Sequence, residues 1–266
     1  MIANRISVRF VAAFAGTALV AASAHPWSAL FVGGSPAPSG NTLAASALFQ
    51  TRQVGSSWFL DVLLTNSSTD ISGLVPADVL TGVFFSFASP VSLTPLSATL
   101  PSGAAVWNGG SVVSGHTSNV GGEWAYKTGL TVGSYSGLHG IGSAGYGLFG
   151  PGDRFDTAQN LSGPADPDGL QYGILPAISS WPSGWNPTMD DDPLISNAVL
   201  FTFGTGGSEL TAMPNAVWAQ YGTSLDEPRF RLTRDDIPPE GIVPEPATMS
   251  LAAAAIGAAF WRKRRR

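Results

Sequence analysis

Residues 58–65, Trp58-Phe59-Leu60-Asp61-Val62-Leu63-Leu64-Thr65, indicate the class of fold most clearly. Apolar side chains recur in this stretch at every second position, which places them on one face of an extended strand: Trp58, Leu60, Val62 and Leu64. Asp61 and Thr65 mark the other face, and the polar cluster Asn66-Ser67-Ser68-Thr69-Asp70 that follows is typical of a turn. The alternation therefore predicts a β-strand with one buried face.

Other short runs of apolar, β-branched and aromatic residues lie on both sides of this stretch, separated by Gly, Pro, Ser and Asn. They are Leu43 to Phe49, Leu80 to Phe87, Ala104 to Trp107, Glu123 to Lys127, Leu194 to Phe203 and Val217 to Tyr221. No segment between them keeps a 3.6-residue apolar period over three turns. We therefore predict an all-β fold, with an antiparallel β-sandwich-like ectodomain over residues 43–236.

The middle of this ectodomain has a different composition. Gly133 to Asp192 is rich in Gly, Pro and Asp and has little strand pattern. Within it, Gly140-Ile141-Gly142-Ser143-Ala144-Gly145 matches the G-x-G-x-x-G pattern of dinucleotide sites, but Tyr146 to Pro151 cannot continue as the required helix. We predict an irregular insertion packed on the sandwich, or a partly irregular lobe, and interpret the glycine pattern as a loop.

The composition supports a folded chain with many short strands. Hydrophobic residues make up 44% of the chain and charged residues only 12%, which leaves ample apolar material for a core. The 32 Gly and 20 Pro suit turns between strands, because both residues interrupt helices. Cysteine is absent, which excludes disulfides, thiol nucleophiles and thiolate metal sites.

Positive charge is concentrated at the two ends of the chain. Between Arg9 and Arg262 only six basic residues occur, namely Arg52, Lys127, Arg154, Arg229, Arg231 and Arg234. The 18 acidic residues make the intervening region strongly negative. An acidic ectodomain repels nucleic acid, so we predict no nucleic-acid partner.

Residues 1–24 have the three parts of a secretory signal peptide. Arg5 and Arg9 supply the positive start, Phe10 to Val20 an apolar helix, and Ala22-Ser23-Ala24 the small residues that a signal peptidase requires. We predict cleavage after Ala24, guided by Ala22 and Ala24, and a flexible lead-in over residues 25–42. The alternative is an N-terminal membrane anchor, for which the apolar run is shorter than the ~20 residues that a span needs.

The C-terminal residues form a second signal. Val243-Pro244-Glu245-Pro246-Ala247 lies in a Pro-rich linker (residues 237–247) and precedes an apolar helix from Met249 to Phe260. The chain then ends in a basic stop that stays cytoplasmic under the positive-inside rule: Arg262, Lys263, Arg264, Arg265 and Arg266. Residues 248–266 thus resemble a stop-transfer segment, but the helix is short for a permanent anchor.

Pro244-Glu245-Pro246, the Ala-rich helix and the Arg-rich end resemble the PEP-CTERM sorting tail of Gram-negative bacteria. The resemblance implies that exosortase recognises the motif at a cytoplasmic-membrane intermediate, cleaves the tail, and releases or attaches the protein at the cell surface or in the extracellular matrix. The same tail is also labelled an ice-binding protein C-terminal domain, a label that implies no ice binding by the ectodomain. The alternative is an ordinary single-pass anchor.

Few residues of the ectodomain suggest chemistry. Histidine is limited to His25, His116 and His139, with no His-Glu-x-x-His pattern and no Gly-x-Ser-x-Gly elbow. Carboxylates cluster near Gly or Pro at Asp153 and Asp156, Asp166 and Asp168, Asp190-Asp191-Asp192, and Asp235-Asp236. Oxygen-rich loops suit Ca²⁺, but no EF-hand or nonapeptide repeat is present, so solvated loops are favoured over a calcium site.

We therefore predict that the chain is not an enzyme, needs no cofactor, and has a structural or adhesive role at the cell surface. The alternative is a module that binds exopolysaccharide. Five tryptophans could stack on sugars, although most Trp in such a fold belongs to the core: Trp107, Trp124, Trp181, Trp185 and Trp218. A secreted hydrolase with two facing carboxylates is the third hypothesis.

Overall fold

The computed structural model describes residues 26–69, 73–144, 159–161, 169–181 and 184–235. Within these ranges the chain forms 15 β-strands and two short 3-10 helices, Pro76–Asp78 and Pro187–Met189. The strands in chain order are β1 (Ser28–Pro36), β2 (Thr42–Val54), β3 (Ser57–Asn66), β4 (Leu80–Phe87), β5 (Thr94–Thr99), β6 (Ala105–Asn108), β7 (Ser111–Val112), β8 (Ala125–Val132), β9 (Tyr135–Gly142), β10 (Gln159–Asn160), β11 (Ile174–Leu175), β12 (Leu194–Ser196), β13 (Ala198–Gly204), β14 (Pro214–Tyr221) and β15 (Arg229–Asp235).

All of the strands are linked by hydrogen bonds into one sheet system. Its main path runs β5-β13-β3-β2-β1-β15-β14-β4-β11-β12-β6-β7, and β9, β8 and β10 branch from β4 in that order. Every strand pair is antiparallel except β11 with β12. The all-β class predicted from the sequence is confirmed.

The faces of β3 are those that the alternation predicts. Leu60, Val62 and Leu64 have no exposed surface, and Trp58 is buried beside them. On the neighbouring strand β2, Phe49 faces the same core and is also fully buried. Burial of such side chains stabilises a fold by roughly 1.5–3 kcal/mol each, so this face is the main source of stability in this part of the chain.

The core joins strands that are not hydrogen-bonded to each other. The ring of Phe49 on β2 meets that of Phe85 on β4 edge to face, with centroids 5.1 Å apart. Tyr126 on β8 packs against Phe203 on β13 at 4.9 Å. The β5-to-β15 part of the path therefore packs its inner face against β4 and β8.

Both faces of β4 are covered, which explains its continuous apolar run. Phe85 points into the main core, whereas Phe84 belongs to a second cluster with Leu130, Leu138 and Trp218. The strand bounds, Leu80–Phe87, are those predicted from the sequence. A strand that is buried on both faces loses the apolar–polar alternation of a half-exposed strand.

The segment predicted as a flexible lead-in contains a regular strand. β1 pairs with β2 over nine residues and with β15 on its other side. Ala29 and Phe31 anchor it in the core, with 2% and 4% of their surface exposed. The backbones of β15 and β2 approach Gly33 and Gly34 so closely that a Cβ atom has no room there. Glycine is therefore required at these positions, and the strand lacks the apolar alternation by which it could have been predicted.

The predicted irregular insertion also contains a core strand. β9 pairs with both β4 and β8, and Leu138, His139 and Ile141 on it are buried. The glycine pattern that we interpreted as a loop begins inside this strand, at Gly140. A Cβ atom at Gly140 would overlap the side chains of Leu130 and Phe84, so close packing explains this glycine.

Candidate functional site

The residues of both predicted sorting signals lie outside the described part of the chain. They are the signal-cleavage residues Ala22 and Ala24, the motif Pro244, Glu245 and Pro246, and the basic stop Arg262, Lys263, Arg264, Arg265 and Arg266. The predicted signal helix and tail helix lie there too. Within the described ranges, no helix is long and apolar enough to cross a membrane.

His139 is a buried core residue. Its Nδ1 atom lies 2.8 Å from the Tyr126 hydroxyl, and its ring stacks on Phe85 with centroids 5.2 Å apart. Burial lowers the pKa of His139 to about 4, so the imidazole is neutral at pH 7. Burial also raises the pKa of the Tyr126 hydroxyl. This pair serves the packing of β8 on β9.

His116 lies in a different environment, beside Tyr172. Its Nδ1 atom is 2.5 Å from the Thr117 carbonyl oxygen, which can only accept, so Nδ1 donates and Nε2 accepts from the Tyr172 hydroxyl at 3.2 Å. Tyr172 has a φ of 56°, which is uncommon for a bulky residue. Its pKa is raised by burial and by the negative charge of Glu123. In the described part of the chain, neither this imidazole nor that of His139 is hydrogen-bonded to a serine or a carboxylate.

The described acidic residues do not converge on a common centre. Asp190, Asp191, Asp192 and Asp235 are described, whereas the remaining carboxylates of the predicted loops are outside the described ranges. No group of three or more His, Cys, Asp or Glu side chains that could hold a metal ion occurs among the described residues. The calcium alternative remains a prediction for the loops that the structure does not describe.

One carboxylate that the sequence did not single out is fully buried. Asp78 accepts hydrogen bonds from the Ser39 hydroxyl at 2.8 Å and from the Asn41 side-chain amide at 2.7 Å. These bonds tie the β1–β2 turn to the 3-10 helix before β4. The role of Asp78 is structural, because its oxygens are occupied by partners within the chain.

The tryptophans considered for sugar stacking are mostly core residues. Four of them are at least 92% buried, and Trp124 is completely so: Trp107, Trp124, Trp185 and Trp218. Trp181 is half-buried and packs on Trp185 with centroids 5.0 Å apart. The expectation that most of these tryptophans belong to the core is confirmed.

A cavity among the described residues lies on the opposite face of the sheet from the main core. It has a volume of about 430 Å³ and is formed by β2, β3 and β13 together with the loop at Pro101 and Ser102. We call it the outer-face groove. Its apolar lining comes from Leu48, Leu63, Ala198, Leu200 and Pro101, and its polar lining from Gln50, Asp61, Thr65, Ser102 and Asn197.

Asp61 is held in a fixed orientation at one end of the groove. The Arg52 Nε atom donates to Asp61 Oδ2 at 2.5 Å, and the Thr202 hydroxyl donates to Oδ1 at 2.8 Å. Arg52 also lies over the ring of Phe59, 4.6 Å from its centroid. The carboxylate is therefore charge-balanced and held by side chains of β2 and β13, which suits a hydrogen-bond acceptor for a ligand.

Asn197 is held by its backbone at the other end of the groove. Its φ of 80° is in the left-handed region, and both of its backbone groups are bonded, N–H to the Leu175 carbonyl at 2.9 Å and C=O to the Asn66 N–H at 3.0 Å. Sequence reasoning marked Asp61 and Thr65 only as the polar face of a strand. No local pattern joins them to Asn197, because the groove assembles residues from four separate segments of the chain.

Comparison with known protein families finds the PEP-CTERM protein-sorting motif at residues 243–266. No curated protein and no solved structure matches the chain significantly. The family match and the resemblance seen in the sequence cover the same residues, and the match includes none of the described strands. This chain therefore carries a PEP-CTERM protein-sorting motif, which follows an all-β region.

Proposed function

We propose that this chain is an exported protein of the cell surface or extracellular matrix with a structural or adhesive role, and that it is not an enzyme. The observation that carries the proposal is the PEP-CTERM motif at residues 243–266, which indicates exosortase-dependent sorting of an extracellular surface protein. Exosortase is the partner that this motif implies. The structural or adhesive role is our inference from the all-β region that precedes the motif.

The route to the surface is the second part of the proposal. Signal peptidase removes residues 1–24, and the apolar helix with its basic stop holds the chain briefly in the cytoplasmic membrane. The positive charges that support this route stand at both ends of the sequence: Arg5, Arg9, Arg262, Lys263, Arg264, Arg265 and Arg266. Such charges keep a segment on the cytoplasmic side, whereas the acidic middle of the chain is exported.

We propose further that the exported domain is a β-sandwich. The support is the aromatic contact between strands that share no hydrogen bonds, above all Phe49 on β2 with Phe85 on β4. Trp124 and Phe201 add a similar contact, with centroids 4.9 Å apart. A dry core between two sheet faces needs no disulfide, which is consistent with a cysteine-free exported chain.

The sorting proposal is tested by the double variant Pro244→Ala and Glu245→Ala in the natural host. It removes the stiff backbone and the carboxylate but leaves the apolar helix and the basic stop intact. We expect uncleaved protein to accumulate in the cytoplasmic membrane, with loss of the surface or released form, measured by fractionation and immunoblotting. The matched control, Pro238→Ala with Glu240→Ala, should be processed normally.

Normal processing of the double variant would contradict the proposal, because an ordinary anchor needs only the apolar helix and the basic stop. Equal accumulation of the control variant would contradict it as well. In that case the Pro-rich linker in general, and not the Pro-Glu-Pro motif, would govern processing.

A further inference from the structure

We propose that the outer-face groove binds an uncharged sugar unit of a polysaccharide. The proposal uses the surface location of the protein as its context, but it concerns a ligand and a site that the sorting motif does not specify. It rests on three properties of the groove: its size, its unused hydrogen-bonding groups and its charge.

The size of the groove suits a small ligand. Its volume of about 430 Å³ falls in the lower part of the roughly 300–1,000 Å³ range of small-molecule sites. Leu48, Leu63 and Leu200 give it an apolar floor that spans three neighbouring strands. Leu48 is only 6% exposed although it lies on the outer face of β2, so the floor is recessed and not a flat surface.

The polar groups of the groove have hydrogen-bonding capacity to spare. Among the described residues, none makes a side-chain hydrogen bond with Gln50, Thr65, Ser102 or Asn197, in contrast to the buried polar residues of the core. The two amides supply donors and acceptors, and the two hydroxyls can do either. Each sugar hydroxyl also both donates and accepts, so this mixed set matches a sugar better than it matches a purely apolar ligand.

The charge of the groove selects against ionic ligands. Among the described residues that line it, Asp61 alone is charged, and Arg52, which lies outside the lining, pairs with that carboxylate. None of the described lining residues is a cation that could bind a phosphate, a sulfate or a uronate. The paired Asp61 can still accept hydrogen bonds from ligand hydroxyls through its remaining lone pairs. An uncharged polyhydroxylated ligand is the class that satisfies these groups together.

The described part of the chain places no aromatic ring in the lining of the groove, which limits the affinity. A few neutral hydrogen bonds and an apolar floor correspond to dissociation constants of about 1 mM for a single sugar unit. Repeated sugar units along a polymer and many copies of the protein on one surface would raise the effective affinity by multivalency. A surface protein on a polysaccharide matrix meets both conditions.

The test is native affinity electrophoresis of the full chain in mild detergent, through gels that contain dextran, galactomannan or a β-glucan. We expect at least one of these neutral polymers to retard the protein, and polygalacturonate not to do so. The double variant Thr65→Val with Asn197→Gly removes two polar groups while keeping the shape of Thr65 and the positive φ at position 197. Its dissociation constant should rise roughly tenfold or more.

Thr128→Val is the matched control, because Thr128 lines a separate cavity beside His139. It should bind as the wild type does, and thermal unfolding should show all variants folded. Absence of retardation by every neutral polymer, equal binding by the double variant, or preference for polygalacturonate would each overturn the proposal. These results are independent of sorting, because the purified chain is tested whether or not exosortase processes it.

Discussion

The two faces of β3 lie in different environments. Its inner face, with Leu60, Val62 and Leu64, has no exposed surface and packs into the main core. Its outer face carries Asp61, Leu63 and Thr65, which line the outer-face groove and retain contact with solvent. Adjacent residues of one strand therefore serve stability and recognition separately, and a substitution should affect one property with little effect on the other.

The largest expected effect comes from Leu60→Ala on the inner face. Because Leu60 is fully buried, removing its side chain leaves a cavity and should lower the free energy of unfolding by about 2–5 kcal/mol. The matched substitution on the outer face, Leu63→Ala, should lower it by about 1 kcal/mol or less. Urea unfolding of both variants measures the difference. Equal losses of unfolding free energy in the two variants would contradict the proposed difference between the faces.

The next effect, which depends on pH and vanishes near neutrality, is expected from His139 in the same core. Its pKa is lowered to about 4 by burial, so the unfolded chain, with an imidazole pKa of about 6.5, binds more protons between these values. Neutral His139 is fully compatible with folding above pH 6.5, and stability is lost as the pH falls towards 4. At pH 4 the loss reaches roughly 3 kcal/mol.

The measurement is urea unfolding of the wild type and His139→Gln at pH 7 and pH 4.5. The variant should lose less stability between the two pH values, because glutamine does not titrate. Tyr126→Phe is the control: it removes the hydroxyl beside Nδ1 but keeps the imidazole, so it should retain the wild-type pH dependence. If His139→Gln lost as much stability as the wild type between pH 7 and pH 4.5, the imidazole of His139 would not be the cause of the acid destabilisation.

Much of the fold followed from the sequence where a strand has one buried face. The alternation of β3 and the bounds of β4 could be predicted because their apolar residues are large and regularly spaced. β1 and β9 could not, since Gly33, Gly34 and Gly140 occupy positions where a neighbouring chain leaves no room for a Cβ atom. Glycine gives no hydrophobic signal even when it is packed inside a sheet.

The candidate site was less predictable than the fold. The sorting motif could be identified from the sequence because its parts are contiguous, whereas the outer-face groove combines Gln50, Thr65, Ser102 and Asn197. The pairing of β3 with β2 on one side and with β13 on the other brings Gln50, Thr65 and Asn197 together. Ser102 follows β5, which pairs with β13. Pairing between distant segments is set by the tertiary fold, so the groove could not be predicted from any local sequence pattern.

The outer-face groove can bind a polysaccharide at the cell surface only if the chain is exported and processed as proposed. The most direct test is the location and intact mass of the protein from host cells with and without exosortase. With the enzyme, we expect a surface or released form that begins at His25 and lacks the residues after the Pro244-Glu245-Pro246 motif. Without it, the chain should keep these residues and remain in the cytoplasmic membrane. The same mass and location in both strains would contradict the account.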